Sequence, residues 1–249
     1  MTKILGGWSQ SLTLNPFDEF DTMMYGMVTN LDGLTTGTAA YPGWSPEREP
    51  KPSASPTFNG KTLWSYGGGL CSPEQKPANA EDVSRIVAAT INKNWDGVDF
   101  DDECNMNIPL IIEAMRQLKQ NNKETSYGFP AGWWYNHPET SGGKKISETV
   151  QAFAASGQCD RLVHYCYANA MWDESLIRDN VRQSLQRSIS NGMEKSRIIL
   201  ALTTNGLTDW NLNYFIDQII DLDVGGLFIW RYDEISRDHL KMIKQRLGK

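Results

Sequence analysis

Eight short apolar segments constrain the fold of this 249-residue chain most strongly. They centre near residues 5, 25, 63, 99, 127, 164, 200 and 228, and each has the length and composition of a buried strand. Strands that alternate with helices pair in parallel, and eight of them close into a barrel. The sequence therefore predicts an α/β fold, a (β/α)8 TIM barrel, built as a single domain over residues 1–249.

Amphipathic helical patterns follow most of the later strands. Asn79 is the expected N-cap of the first helix, Pro109 lies at the start of the second, and Ser236 starts the last. The apolar stripes consist of Val83, Ile86, Val87 and Ile91; Ile111, Ile112, Met115 and Leu118; Leu176, Val181, Leu185 and Ile189; Leu212, Phe215, Ile216, Ile219 and Ile220; and Leu240, Ile243 and Leu247.

The first crossovers are predicted to be irregular. Strands one and two leave little room for a helix between them, and residues 31–60 contain five prolines. Because proline disrupts a helix interior, this stretch is expected to form a long loop over one face of the barrel. Trp44 is expected to pin that loop.

The fourth strand carries an unusual concentration of acid. Residues 95–103 read W-D-G-V-D-F-D-D-E, in which five of nine positions are carboxylates. Strand side chains alternate, so Asp99, Asp101 and Glu103 share one face while Asp102 faces the other. Burying carboxylates costs free energy unless the chemistry of the protein uses them or other groups satisfy them. Close like charges also favour a proton on one of the carboxyl groups, which can then act as a proton donor. Glu103 ends the series, where barrel enzymes place their chemistry.

Two other interpretations of the acidic strand remain open. A divalent metal would need oxygen ligands from a second element, for which Asp209, Asp233 and Glu234 are candidates. The other interpretation is that the acidic residues form a purely structural run of charge at the top of the barrel. Acid/base chemistry is favoured over both, and no metal or cofactor is expected.

The acidic segment resembles the D-x-x-D-x-D-x-E signature of the family-18 glycoside hydrolases, the chitinases and endo-β-N-acetylglucosaminidases. S-Y-G-G at residues 65–68 is similar to the family's S-x-G-G at the third strand. Tyr25 lies where the second strand bears an aromatic residue, Tyr165 and Tyr167 where the sixth supplies a tyrosine, and Trp230 where the eighth ends in tryptophan. The resemblance spans nearly the whole chain.

This resemblance implies a retaining, substrate-assisted mechanism, an exception to the usual scheme of two carboxylates. Glu103 would protonate the leaving oxygen while the substrate's own N-acetyl group attacks the anomeric carbon. Asp101 would hold the acetamide N–H and stabilise the developing positive charge, with Asp99 behind it as proton or charge partner. Tyr167 would bind the acetamide carbonyl, and Trp230 would form the floor beneath it.

Further residues near strand ends are candidates for sugar contact. They are Trp8, Tyr25, Trp133, Asn205 and Arg231, with Trp134 and Tyr135 as further aromatic candidates. If the segment after Gly132 is extended, at most one of its two adjacent tryptophans lines the groove.

The chain also departs from the family pattern. Asp102 stands where an apolar residue is usual, and its expected role is a hydrogen bond to the following loop or helix N-terminus. Ala168 stands where many relatives carry Asp or Asn, and Asn169 is next to it. The stretch from strand seven to its helix is too short for the domain that many chitinases insert, which predicts an open groove.

The composition of the chain limits the classes of partner that the protein is expected to bind. A net charge of −6 argues against nucleic acid and anionic membranes. No apolar run is long enough to span a membrane, so the compartment is left open between the cell interior and secretion after removal of a targeting segment. A disulfide framework is not expected from the four cysteines, and a monomer is expected.

The expected activity is hydrolysis of β-1,4 linkages in N-acetylglucosamine-containing glycans. Chitin oligomers and the chitobiose core of N-glycans are both admissible substrates. Two alternatives stay open: a glycan-binding lectin on the same fold, and a metal-dependent barrel hydrolase, which the lack of a histidine cluster disfavours.

Overall fold

The protein is a closed barrel of eight parallel strands that pair in chain order, with β8 returning to β1. The computed structural model describes residues 2–13, 16–32, 43–53, 57–69 and 76–249. The predicted (β/α)8 fold and single domain are confirmed. The strands are β1 (Ile4–Ser9), β2 (Thr22–Val28), β3 (Lys61–Gly67), β4 (Gly97–Asp101), β5 (Glu124–Pro130), β6 (Arg161–Tyr165), β7 (Ile198–Thr203) and β8 (Gly226–Trp230).

Apolar side chains pack on both faces of the strands, because successive residues point to opposite faces. A small buried cluster joins six of the strands and fills the barrel interior. The larger cluster occupies the space between the barrel and the helices. The interior cluster consists of Trp8, Met24, Leu63, Val163, Tyr165, Ile199, Ala201 and Phe228.

Seven helices lie in the described part of the chain. They are α1 (Ala80–Asn92), α2 (Ile108–Gln120), α3 (Trp133–Asn136), α4 (Ser141–Ser156), α5 (Glu174–Ser190), α6 (Asp209–Asp221) and α7 (Arg237–Leu247). The Asn79 side chain accepts from the backbone N–H groups of Glu81 and Asp82, so its predicted role as N-cap is confirmed. Ser236 caps α7 in the same way, through the N–H of His239.

The helix α4 was missing from the sequence prediction. Its first turn contains Gly142 and Gly143, which are poor helix formers, and only Val150 and Phe153 are buried large apolar residues. Thr140 caps it, and Gly143 has no room for a side chain because a Cβ there would lie 2.1 Å from the His137 carbonyl oxygen. Close packing, rather than helix propensity, therefore explains the sequence of this turn.

The early crossovers are irregular, as predicted. Between β1 and β2, and between β2 and β3, no helix occurs in the residues that the structure describes. Trp44 is buried and stacks on Trp95, with ring centroids 5.7 Å apart. It therefore anchors this loop against the outside of the barrel. Pro42 and Pro56 lie outside the described residues.

No disulfide framework was expected, but Cys104 is disulfide-bonded. Cys159 and Cys166 are buried free thiols, and Cys71 lies outside the described residues. In the described ranges, no helix has both the length and the apolarity needed to cross a membrane.

Candidate active site

The acidic series lies at the carboxyl end of β4. Register pairs Asp99 with Ser65 on β3 and with Ser126 on β5, and Asp101 with Gly67 and Gly128. The strand ends at Asp101, and Glu103 follows two residues later. The carboxyl groups therefore run from the barrel interior to its rim.

Asp99 lies deepest and has no exposed surface. One carboxylate oxygen accepts from Trp8 Nε1 at 3.0 Å and from the Ser65 hydroxyl in a short hydrogen bond. Burial raises its pKa, while these hydrogen bonds favour the ionised form. A Cβ at Gly26 would lie 2.5 Å from Ser65 Cβ, so the glycine lets β2 approach this pair closely.

Asp101 is the central member and is 4% exposed. Its pKa is raised well above the usual value, first by burial and then by the charges of Glu103 and Asp99. A hydrogen bond from Tyr165 opposes that shift. The site therefore favours a proton on Asp101 at pH values where an exposed aspartate is ionised.

Glu103 projects from the rim and is solvent-accessible. Its pKa is raised, first by partial desolvation in the groove and then by the charge of Asp102. A Cβ at Gly69 would lie 3.1 Å from the Glu103 carboxylate, so the backbone after β3 passes directly beside it. A glutamic acid with a raised pKa at the mouth of a groove has the properties of a general acid.

Two tyrosines from β6 and the loop after it face this series. The predicted site residue is Tyr167, and it lines the groove half-buried. Tyr165, which the prediction did not place in the site, lies 6.0 Å from Tyr167 between ring centroids, and its hydroxyl lowers the pKa of Asp101. A Cβ at Gly128 would lie 2.0 Å from the Tyr165 hydroxyl, so a residue larger than glycine would displace it.

A groove with a volume of about 1150 Å³ opens above these residues. It contains Asp101 and Glu103 and five of the six residues predicted to bind substrate. Asp233 and Glu234 stand on its rim. The five predicted residues are Trp8, Trp133, Asn205, Trp230 and Arg231.

Tyr25 is the exception and does not line the groove. It is 2% exposed and lies on the outer face of β2, with its ring centroid 6.2 Å from that of Trp95. The register of β2 shifts between Tyr25 and Val28, and Met27 reaches the groove instead. Met24 points into the barrel interior, so strand alternation turns Tyr25 outward, and the irregularity explains only why Met27 faces the groove.

Three of the predicted groove residues make contacts that limit their freedom. Trp8 is 2% exposed and its indole N–H bonds Asp99, so it supports the acidic series. Arg231 pairs with Glu234 in a short ion pair. Asn205 donates from Nδ2 to the Asn169 carbonyl at 2.9 Å.

The rim of the groove carries more aromatic side chains than the sequence predicted. Trp133 and Trp134 are 45% and 55% exposed, and both line the groove. They belong to the short helix α3, not to an extended segment, so both side chains can face the same space. Trp172 joins them, whereas Tyr135 is fully buried and bonds Ser188.

Asp209, one of the candidate metal ligands, and the histidine His164 do not line the groove. Among the described residues, no group of three or more His, Cys, Asp or Glu is arranged to hold a metal ion. Asp209 instead pairs with His239, 2.9 Å away. His164 is buried, bonds Ser188, and has its pKa lowered to about 3 by burial, so it stays neutral.

The raised pKa of Asp101 predicts a cost in stability. The folded protein holds this proton to higher pH than the unfolded chain does, so stability falls as pH rises from the unfolded pKa through the folded one. Asp101→Asn removes that ionisation. We expect its Tm at pH 7 to exceed that of the wild type by about 2–8 °C, corresponding to roughly 1–2 kcal/mol.

Thermal unfolding followed by circular dichroism measures this difference. At pH 3 both states of the wild type are largely protonated, so the gap should close. Asp179→Asn, on the exposed face of α5, is the matched control and should show no such gap. A wild type more stable than Asp101→Asn at pH 7 would contradict the expectation.

Known structures share this architecture across the whole chain. A GH18 chitinase from Pseudoalteromonas aurantia is similar, with a TM-score of 0.66, 15% identity, and coverage of 98% of this chain and 99% of that one. A fungal endo-β-N-acetylglucosaminidase of glycosyl hydrolase family 18 has a TM-score of 0.60 at 15% identity, covering 93% and 91% of the two chains.

A chitinase-like agglutinin from Robinia pseudoacacia is also similar, with a TM-score of 0.64, 13% identity, and coverage of 98% and 99%. No protein-family model and no curated protein matches the sequence. At these identities the likeness establishes the fold. The neighbours include both enzymes and a chitinase-like agglutinin, so the assignment of chemistry to this chain depends on its own residues.

Proposed function

We propose that this protein is a retaining glycosidase that hydrolyses β-1,4 linkages next to N-acetylglucosamine with the help of the substrate's acetamide group. The observation that carries the proposal is the graded carboxyl series in the groove. Asp99 is bonded and buried, Asp101 is buried with a raised pKa, and Glu103 stands at the rim. That gradient supplies a proton donor at the surface and a charge-stabilising group below it.

In this reaction Glu103 protonates the glycosidic oxygen, the glycosidic C–O bond breaks, and the acetamide oxygen forms the new bond to the anomeric carbon. Asp101 passes its proton to Asp99 and, as the carboxylate, accepts a hydrogen bond from the acetamide N–H while positive charge develops on the oxazolinium ion. Water then attacks the anomeric carbon, displaces the acetamide oxygen and gives its proton to Glu103. No carboxylate has to reach the anomeric carbon, because the substrate provides the nucleophile.

The two tyrosines take different roles in the proposal. Tyr165 lowers the pKa of Asp101 through its hydroxyl and has the smaller exposure, so it orients that carboxyl group. Tyr167 lies nearer the opening and is available to the acetamide carbonyl. Trp230 ends β8 in the same groove and provides a flat apolar surface for the sugar.

The groove favours a glycan with several residues. Its 1150 Å³ exceeds the space of one sugar ring, and exposed indoles at Trp133 and Trp134 extend the stacking surface beyond the carboxyl groups. Only residues 204–208 separate β7 from α6, which leaves no inserted domain to roof the groove. Both chitin oligomers and the chitobiose core of an N-glycan are compatible with such an open site.

A glycan-binding lectin is the second candidate, because one of the similar structures is an agglutinin. The same carboxyl series argues against it. Burying Asp101 beside Asp99 and Glu103 is costly, and binding alone would not require that cost.

One assay separates these functions. Wild-type protein is incubated with chitin oligomers and, in parallel, with a high-mannose glycopeptide, and products are identified by mass spectrometry. Cleavage of the oligomers identifies a chitinase, and cleavage within the chitobiose core identifies an endoglycosidase. Binding without cleavage of either would overturn the proposal in favour of the lectin. An N-acetylglucosamine thiazoline should inhibit, because it mimics the oxazolinium ion.

A further inference from the structure

Asp102 directly follows β4, faces away from the groove and is 8% exposed. Its Oδ2 accepts from the Tyr127 hydroxyl at 2.6 Å. Its Oδ1 accepts from the backbone N–H of Cys104 at 3.1 Å and of Met106 at 2.9 Å. The expectation that Asp102 bonds the following loop is confirmed, but the tyrosine contact was not foreseen.

These contacts hold the backbone of Glu103 from both sides. The Asp102 N–H donates to the Gly128 carbonyl at 2.8 Å, which ties the end of β4 to β5. The Oδ1 bonds then close a turn around Glu103 before α2 begins. Tyr127 is itself packed against Phe153, with ring centroids 4.4 Å apart. The side chain of Glu103 therefore starts from a fixed backbone.

Asp102 also brings charge next to the acid. All three of its partners are donors, which is the arrangement expected of a carboxylate anion. Other titratable groups around Glu103 in the described residues lie on several elements. They are Asp101 on β4; Tyr165 on β6 and Tyr167 just after it; Lys76, which bonds the Cys104 carbonyl; and Lys145 on α4, which bonds Asn105.

We propose that Asp102 is a positioning residue for Glu103, which fixes the turn that carries the acid and keeps a negative charge behind it. The role of Glu103 as acid rests on the proposed function. The placement of Asp102 does not, because it depends only on the contacts with Tyr127 and the turn.

Two substitutions test separately the charge of Asp102 and its contribution to the structure of the turn. Asp102→Asn removes the charge but keeps the shape: its carbonyl can still accept from the two N–H groups, and its amide can donate to Tyr127. Tyr127→Phe keeps the charge and removes one donor. The charge of Asp102 raises the pKa of Glu103.

The pH profile of kcat/KM is expected to respond differently to the two changes. In Asp102→Asn the basic limb should move to lower pH by about half a pH unit or more, which lowers activity on that limb roughly threefold or more. In Tyr127→Phe the basic limb should not move to lower pH, while kcat falls as the turn loosens. Equal loss at every pH in Asp102→Asn, without movement of the limb, would overturn the role of the charge.

A second measurement does not need activity. In protein labelled with ¹³C at the glutamate carboxyl carbon, the Glu103 signal is the one missing from Glu103→Gln, and its titration is followed by NMR. We expect the Glu103 pKa to fall in Asp102→Asn. An unchanged titration overturns the inference, whereas absence of hydrolysis in the wild type overturns the proposed function alone.

Discussion

Glu103→Gln is expected to lower kcat/KM on an N-acetylglucosamine oligomer by about 10²- to 10⁴-fold, the contribution usual for a general acid. The amide keeps the size of the side chain beside Gly69 but cannot donate the proton that the leaving oxygen requires. Binding should survive, because the aromatic surfaces of the groove are unchanged. Initial rates and isothermal titration calorimetry with the same oligomer measure the two effects.

The matched control is Glu148→Gln, on the exposed surface of α4. It makes the same chemical change outside the groove and should leave kcat/KM within about twofold of the wild type. Activity that persists in Glu103→Gln would show that the proton comes from another group.

Asp101→Asn is expected to lower kcat by about 10²- to 10³-fold, the cost of removing one charge-stabilising group from the transition state. The same variant should be the more stable protein at neutral pH, because it lacks a buried ionisable group with a raised pKa. A variant that gains stability while losing activity is what an electrostatically costly active site predicts.

An aryl glycoside distinguishes this loss from that of Glu103→Gln. With 4-nitrophenyl β-chitobioside the leaving group departs without much help from an acid, so the deficit of Glu103→Gln should shrink by tenfold or more relative to the natural linkage. The deficit of Asp101→Asn should stay the same, because the acetamide group still needs Asp101. Equal recovery of both variants would contradict their separate roles.

The barrel fold and the faces on which the acidic side chains lie could be predicted from the sequence, because both follow from local periodicity. Strand alternation places Asp99 and Asp101 inward and Asp102 outward, and the structure has that arrangement. The N-cap at Asn79 is likewise a local signal. Local signals of this kind depend on the backbone within a few residues, so they can be read without knowing the packing.

The rest depends on contacts between distant elements. Met27 reaches the groove in place of Tyr25 because the pairing of β2 with β3 shifts between Tyr25 and Val28. Tyr165 joins the site because Gly128, on the neighbouring strand, leaves space for its hydroxyl. Both indoles of Trp133 and Trp134 reach the groove because these residues lie in the helix α3 and not in an extended segment. None of these has a signature at fixed spacing in the sequence.

The stereochemistry of hydrolysis tests the central claim most directly. ¹H NMR is recorded in the first minutes after wild-type protein is added to a chitin oligomer or a high-mannose glycopeptide. Substrate-assisted catalysis predicts that the new reducing end appears first as the β-anomer and only later mutarotates to α. Initial release of the α-anomer, or no release from either substrate, would contradict the account.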